Sequence, residues 1–210
     1  MGFASRQQAG EALGRLLQSE SVEADLVLGL PRGGVIVAAE VARVLNRPLD
    51  VLVVRKIGHP FQREFAIGAL AEPDVFFCDP ETCRGVPPAQ IDAVIDEEKL
   101  RLSDYAARFH PRGLPELAGK SVLLVDDGIA TGATTEAAIL GARHRGARSV
   151  WVATPVAAAD AFQRLSGVAD RVSALLVETD FGAVGRFYLD FSQTTDQEVL
   201  EILLRCRAAA

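Results

Sequence analysis

The stretch Val122-Leu123-Leu124-Val125-Asp126-Asp127-Gly128-Ile129-Ala130-Thr131-Gly132-Ala133-Thr134 sets the fold and points to the chemistry. Its four apolar residues predict a strand buried on both faces, as a parallel sheet requires. Two adjacent carboxylates, Asp126 and Asp127, emerge at the carboxyl end of that strand. The loop at 130–134 is small and hydroxylated and leads into a predicted helix at 135–145. N–H groups at a helix start, with the positive end of its dipole, attract phosphate. Thr131 and Thr134 add hydroxyl donors, while Gly132 and Ala133 let a ligand approach the backbone closely. Phosphate beside two carboxylates is an electrostatic conflict unless the acids face sugar hydroxyls, which donate hydrogen bonds to them. The Gly-Lys-Ser/Thr ending of a Walker loop is absent from the stretch.

Similar apolar runs lie at 26–30, 49–54, 150–153 and 172–177, and helical patterns at 35–45, 88–109 and 157–165 separate them. Ser5 with Gln8 and Thr195 with Glu198 form capping boxes for a first helix and for a last one at about 195–207. Residues 65–72 and 75–78, split by Pro73-Asp74, predict a hairpin. The alternation specifies an α/β fold, a mostly parallel twisted sheet flanked by helices. It predicts one domain over 1–210 with its core at about 25–190 and a small hood or lid at about 55–72. Ligands of such sheets sit at the carboxyl ends of the strands, so the loops after Leu30, Val54, Val125, Ala153 and Val177 are the ones to read.

Gly29-Leu30-Pro31-Arg32-Gly33-Gly34 links a strand to a helix through a turn whose N–H groups and arginine fork suit phosphate oxygens. Val53-Val54-Arg55-Lys56-Ile57-Gly58-His59-Pro60 sets two cations directly after a strand, followed by a polar stretch with Gly58 as a flexible point. His59 could join those cations; His110 and His144 carry no signal, and no His/Cys/Asp metal cage is apparent. Phe181-Gly182-Ala183-Val184-Gly185-Arg186-Phe187-Tyr188-Leu189-Asp190-Phe191 reads in two ways. It is either a platform for a flat base or a set of aromatics packing the last helix onto the sheet.

Residues 122–134 resemble the phosphoribosyl-pyrophosphate signature of the type I phosphoribosyltransferases, and the upstream loops stand in that family's order. The resemblance implies that Asp126 and Asp127 hold the ribose 2′- and 3′-hydroxyls and that Ala130, Thr131, Gly132, Ala133 and Thr134 grip the 5′-phosphate. Arg32, Gly33 and Gly34 would form the pyrophosphate loop, with a non-proline cis peptide around Arg32-Gly33. Arg55 and Lys56 match the Arg-Lys before the mobile lid of adenine-type enzymes and would act with the twin acids in catalysis. Residues 184–191 resemble the base-side loop of hypoxanthine–guanine enzymes, which implies Phe187 and Tyr188 at the substrate and Asp190 at Mg²⁺. Ala130 stands where purine enzymes carry an acid for the base, so the loop is similar to the adenine or orotate type; Glu64 is the only replacement acid suggested. The implied reaction is Mg²⁺-dependent phosphoribosyl transfer from phosphoribosyl pyrophosphate to a nitrogenous base or amine, by a homodimer. The rival readings are a non-catalytic regulator that senses the same ligand and binds nucleic acid or protein, and a different doubly wound enzyme or receiver-like module using Asp126 and Asp127 for Mg²⁺.

Charge and composition narrow the classes further. Lys plus Arg number 22 against 28 Asp plus Glu, a formal charge of −6, which disfavours a general nucleic-acid binder. Apolar residues at 49% and charged residues at 24% exclude a disordered chain. No apolar run approaches the ~20 residues that span a bilayer. Arg6 and Glu11 lie within a helical pattern unlike a signal peptide. Cys78, Cys83 and Cys206, with no CxxC pair, predict a reducing compartment, the cytoplasm, with neither a disulfide framework nor a zinc site.

Overall fold

The computed structural model describes residues 2–78, 82–111 and 113–208, and the side chains of all of these except 63, 64, 66, 207 and 208. In chain order the elements are α1 (Arg6–Ser19), β1 (Leu26–Gly29), α2 (Gly33–Leu45), β2 (Leu49–Val51), β3 (Val54–His59), β4 (Gln62–Ala71) and β5 (Val75–Cys78). Then come α3 (Pro88–Phe109), β6 (Ser121–Val125), α4 (Ala133–His144), β7 (Ser149–Ala158), α5 (Ala159–Ser166), β8 (Arg171–Glu178) and α6 (Asp196–Ala208). Five strands form a parallel sheet in the order β2-β1-β6-β7-β8, and β3-β4-β5 form a separate antiparallel sheet, the hood.

Strand alternation sorts the core into two layers. Val27, Leu123 and Val125 face one way, onto Leu13 and Leu17 of α1, Val37 and Val41 of α2, and Val199 and Leu203 of α6. Leu26, Leu28, Val122 and Leu124 face the other way, onto Ala138 and Ile139 of α4 and Ala161 and Leu165 of α5. Of the two expected capping boxes the second closes fully, Thr195 Oγ1 accepting the Glu198 N–H at 3.2 Å and Glu198 Oε2 the Thr195 N–H at 2.7 Å; in the first, Ser5 Oγ accepts the Gln8 N–H at 3.3 Å, but Gln8 Oε1 takes the Ala4 N–H and not that of Ser5. Among the described residues no helix is long and apolar enough to cross a membrane.

Several expectations need correction. The run 49–54 is not one strand: the chain leaves the core sheet after Val51, passes through fully buried Leu52 and Val53, and starts the hood at Val54. The polar stretch after Arg55 is not an open loop but the β3–β4 hairpin, because ladder hydrogen bonds need only backbone; its register slips around Gly58. Strand β7 runs past Ala153 through Pro155, whose missing N–H is tolerated because β6 has already ended on that side. Cys78 and Cys83 form a disulfide, contrary to the expectation of no such bond. The β4–β5 pairing and the turn towards α3 bring both cysteines close to Ile67, whose carbonyl lies 3.3 Å from Cys83 Sγ. His110 is also more than a bystander: it is buried, with Nε2 3.1 Å from Oε1 of buried Glu72 at the seam between hood and core.

Candidate active site

The order of the sheet creates one switch point. From β1 the chain turns aside to β2, whereas β6 lies against the other edge of β1, so the switch point, where ligands of such sheets sit, falls beyond Gly29 and Val125. The Gly33-Gly34 turn and the twin acids meet there. A Cβ on Gly33 would overlap Asp127 Oδ2 and lie 2.7 Å from Arg6 Nε. One on Gly34 would lie 2.8 Å from the Val125 carbonyl oxygen and 2.9 Å from Asp126 Cα. Both glycines are therefore required for the start of α2 to close onto the acid loop, beside any part they play in binding.

The two acids have different surroundings. Asp126 Oδ1 accepts the Asp127 N–H at 2.8 Å. Burial, then the neighbouring Asp127 charge, pushes its carboxyl well above the usual range. Asp127 Oδ2 instead receives Arg6 Nε at 2.6 Å, in an ion pair whose side chains are only 9% and 15% exposed. Nothing in the sequence marks Arg6 as part of a site; it reads there as an ordinary first-turn residue of α1. Its Nη1 also donates to the Ser192 carbonyl at 2.8 Å, and its guanidinium lies 4.0 Å from the centroid of the Phe191 ring.

The loop 130–134 ends at Gly132, whose φ of +75° is accessible at little cost only to glycine. It precedes α4, and among the described residues no side chain caps that helix. Among the described residues no side-chain acceptor caps the first-turn N–H groups, and Ala130 and Thr131 are exposed beside them. A second residue absent from the sequence reading, Arg164 of α5, braces this loop. It donates to the Thr131 carbonyl and lies 3.1 Å from Oε2 of Glu136 in the first turn of α4.

The remaining expected residues are placed less simply. Arg32 stands before α2 and lies 3.8 Å from Asp196 at the start of α6, which also accepts from the Tyr105 hydroxyl at 3.0 Å and pairs with Arg108 at 3.1 Å. The non-proline cis peptide is Pro31–Arg32, one bond earlier than expected. Arg55 and Lys56 are not brought together: adjacent strand residues face opposite ways. Arg55 donates to buried Glu98 of α3 at 2.7 Å, while Lys56 is exposed. Burial would raise the Glu98 carboxyl, but hydrogen bonds from Arg55 and then Arg101 bring it below its usual range. His59 accepts the Phe61 N–H at 3.2 Å in the hairpin turn. The side chain of Glu64 lies outside the described residues.

The C-terminal loop resolves largely in favour of packing. Tyr188 is buried against Phe3 and Phe191, so its ring is not a free platform; its hydroxyl donates to the Asp127 carbonyl at 2.6 Å. Burial, then the Asp127 charge, raises its phenol above the ordinary range. Phe187 packs on Phe181 at 5.1 Å between centroids. Asp190 is exposed, and the Ser192 backbone N–H, then the Ser192 side chain, hold its carboxyl below the usual range. Among the described residues no group of three or more His, Cys, Asp or Glu side chains could cage a metal.

A parallel α/β sheet with twin acids and an uncapped helix start at its switch point is the architecture that the likeness to type I phosphoribosyltransferases leads one to expect. The family model of the phosphoribosyl transferase domain matches residues 4–192, and the chain belongs to that family of transferases. It is 46% identical over 206 residues to a Mycobacterium tuberculosis protein provisionally named a phosphoribosyl transferase, covering 97% of this chain and 46% of that one. The chain thus spans about half the length of the curated relatives it matches. The crystal structure of TT1426 from Thermus thermophilus superposes with a TM-score of 0.84 at 44% identity, covering 98% of this chain and 99% of that one. AQ2163 from Aquifex aeolicus shares the fold, with a TM-score of 0.51 at 13% identity over 94% and 84% of the two chains.

Proposed function

We propose that the chain transfers the phosphoribosyl group of phosphoribosyl pyrophosphate to a nitrogenous base or amine in a Mg²⁺-dependent reaction that releases pyrophosphate. One observation carries this reading: a single loop at the switch point holds both the twin acids and the open start of α4. Each acid retains an oxygen that no protein N–H occupies among the described residues, one for each hydroxyl of a vicinal diol. In this reading Asp126 and Asp127 orient the ribose, and Ala130, Thr131, Gly132, Ala133 and Thr134 bind its 5′-phosphate through backbone and hydroxyl donors. Arg32 and the N–H groups of Gly33 and Gly34 receive the pyrophosphate. The long 3.8 Å contact to Asp196 leaves the Arg32 guanidinium able to turn towards it.

Charge building on the leaving group is stabilised by Arg32 and by exposed Lys56, while Arg55 anchors the hood through Glu98. A Mg²⁺ ion would be carried largely by substrate oxygens, since this ion keeps its waters and takes few carboxylates; exposed Asp190, in the loop joined to the Arg6 segment, is the residue that would hold it. Bound there, Mg²⁺ would neutralise pyrophosphate oxygens. The base would meet Phe187 and the exposed edge of Phe191. The reading also takes the protein to be a cytoplasmic homodimer without a nucleic-acid or membrane partner. Its test is pyrophosphate release from phosphoribosyl pyrophosphate and Mg²⁺ with a panel of bases and amines, with Asp127→Asn as the inactive control. Binding without release for every acceptor would place the chain among non-catalytic sensors. Absence of binding by calorimetry would overturn the reading.

A further inference from the structure

Arginine is almost never fully buried unless paired, yet Arg6 in the first turn of α1 is only 8% exposed. The chain on either side of it is stitched to the C-terminal loop. The Phe3 N–H donates to the Phe187 carbonyl at 2.7 Å, the Leu189 N–H to the Phe3 carbonyl at 2.8 Å, and the Asp190 N–H to the Ala4 carbonyl at 3.1 Å. Phe3 and Tyr188 form a parallel bridge, and the Tyr188 hydroxyl reaches back to the Asp127 carbonyl. From this joined edge the Arg6 guanidinium divides its donors between Asp127 Oδ2 and the Ser192 carbonyl, with Phe191 beneath it.

We infer that Arg6 is a positioning residue for the sugar site, and that the N-terminal segment is one of that site's walls. A carboxylate held at one oxygen by a tethered arginine cannot rotate, so its other oxygen points in one fixed direction. Asp126 is held in the same manner through Oδ1 by the Asp127 N–H. The Asp126 carboxyl also meets that of Asp127, so the ion pair that fixes Asp127 fixes the placement of both acids, and Arg6 sets the direction in which the pair faces the sugar. Gly33 preserves the arrangement, because a Cβ there would enter the space of both Asp127 Oδ2 and Arg6 Nε. The arginine acts on the grip of the ribose and not on the leaving group. This inference rests on the proposed phosphoribosyl pyrophosphate site.

The test uses Arg6→Gln and Arg6→Lys, with calorimetry against phosphoribosyl pyrophosphate and Mg²⁺ and, separately, against inorganic pyrophosphate and Mg²⁺. Arg6→Gln should lose ~10- to 100-fold in affinity for the sugar ligand, the scale of a misplaced contact, while pyrophosphate binding stays unchanged. Arg6→Lys keeps the charge but not the fork and should fall between; it carries the test if the Gln variant does not fold. Unchanged sugar affinity, or equal losses for both ligands, overturns the inference. A second readout separates this from failure of the functional reading. In ¹³C spectra of aspartate-labelled protein without ligand, the Asp127 carboxyl signal should shift or broaden in Arg6→Gln. An unmoved Asp127 signal overturns the positioning role, whereas wild-type protein that binds no phosphoribosyl pyrophosphate overturns the function alone.

Discussion

Replacing each twin acid by its amide should move stability in opposite directions, although the two residues are neighbours on one loop. Asp127→Asn keeps an acceptor for Arg6 but removes the charge that balances a guanidinium in a site where both side chains are nearly enclosed. A hydrogen bond to a charged partner contributes about 1.5–3 kcal/mol and a neutral one about 0.5–1.5, and the arginine left behind is uncompensated. The expected cost is about 2 kcal/mol, or a fall of roughly 4–8 °C in Tm for a chain of this length. Asp126→Asn retains the acceptor for the Asp127 N–H and removes a carboxyl whose charged form is disfavoured by burial and by Asp127. A raised folded-state value means that the native state binds the proton more tightly than the unfolded chain. The favourable contribution is thus complete below the ordinary value of 3.8 and is lost as pH rises through the elevated folded value. At neutral pH Asp126→Asn should therefore equal or exceed wild type in Tm, and the difference should shrink towards pH 4. Thermal melts followed by circular dichroism at pH 4, 6 and 8 measure both effects. Equal destabilisation by the two amides at neutral pH would refute the assignment of the ion pair to Asp127 and of the desolvated carboxyl to Asp126.

Other variants probe the surrounding parts. Gly33→Ala, whose methyl would enter the Asp127–Arg6 contact, should cost about 1–3 kcal/mol in urea melts by overpacking, and should also weaken binding of the sugar ligand; wild-type stability would show that the turn adjusts freely. Arg32→Ala should weaken inorganic pyrophosphate binding more than ribose 5-phosphate binding in calorimetry, and equal effects would place the guanidinium elsewhere. Arg55→Ala removes one of two arginines from buried Glu98 and should lower stability by about 1 kcal/mol, whereas exposed Lys56→Ala should leave Tm unchanged and weaken pyrophosphate binding; the reverse pattern would exchange their roles.

Local signals carried most of the fold. The apolar runs around Leu28, Leu123 and Val152 predict strands because a segment buried on both faces leaves no room for polar alternation, and the structure pairs all three in parallel. The loops that meet at the switch point are read from the same pattern, since Gly33-Gly34 open the helix after β1 and Asp126-Asp127 follow β6; that these strands are neighbours is seen only in the fold. In the hood, backbone pairing overrides side-chain character. Arg55 to Glu64 is polar and reads as a loop, yet most of it is ladder, because the apolar partner that makes the hairpin worthwhile, Ile67 to Ala71, lies further along the chain. The Cys78–Cys83 bond likewise depends on the path between β5 and α3, which spacing alone does not reveal.

What escaped the sequence is chiefly what acts across it. Arg6 and Asp127 are 121 positions apart, and an arginine one place after a helix cap has the same local pattern whether it ends in water or on a carboxylate. Arg164 and Thr131 are 33 apart and equally silent. Both arginines are fixed by packing order: α1 lies against β7 and β8, and α5 follows β7, so each helix is carried to the carboxyl edge of the sheet by contacts made elsewhere. The loops at that edge advertise chemistry because glycines and acids have narrow uses. Their braces do not, because an arginine has many. For Tyr188 the ambiguity was sharper, since an aromatic beside a ligand crevice and an aromatic packed under it have the same neighbours in sequence. The hydroxyl decides between them: it reaches the Asp127 carbonyl, and the ring is buried against Phe3 and Phe191 and packs beneath the acid loop.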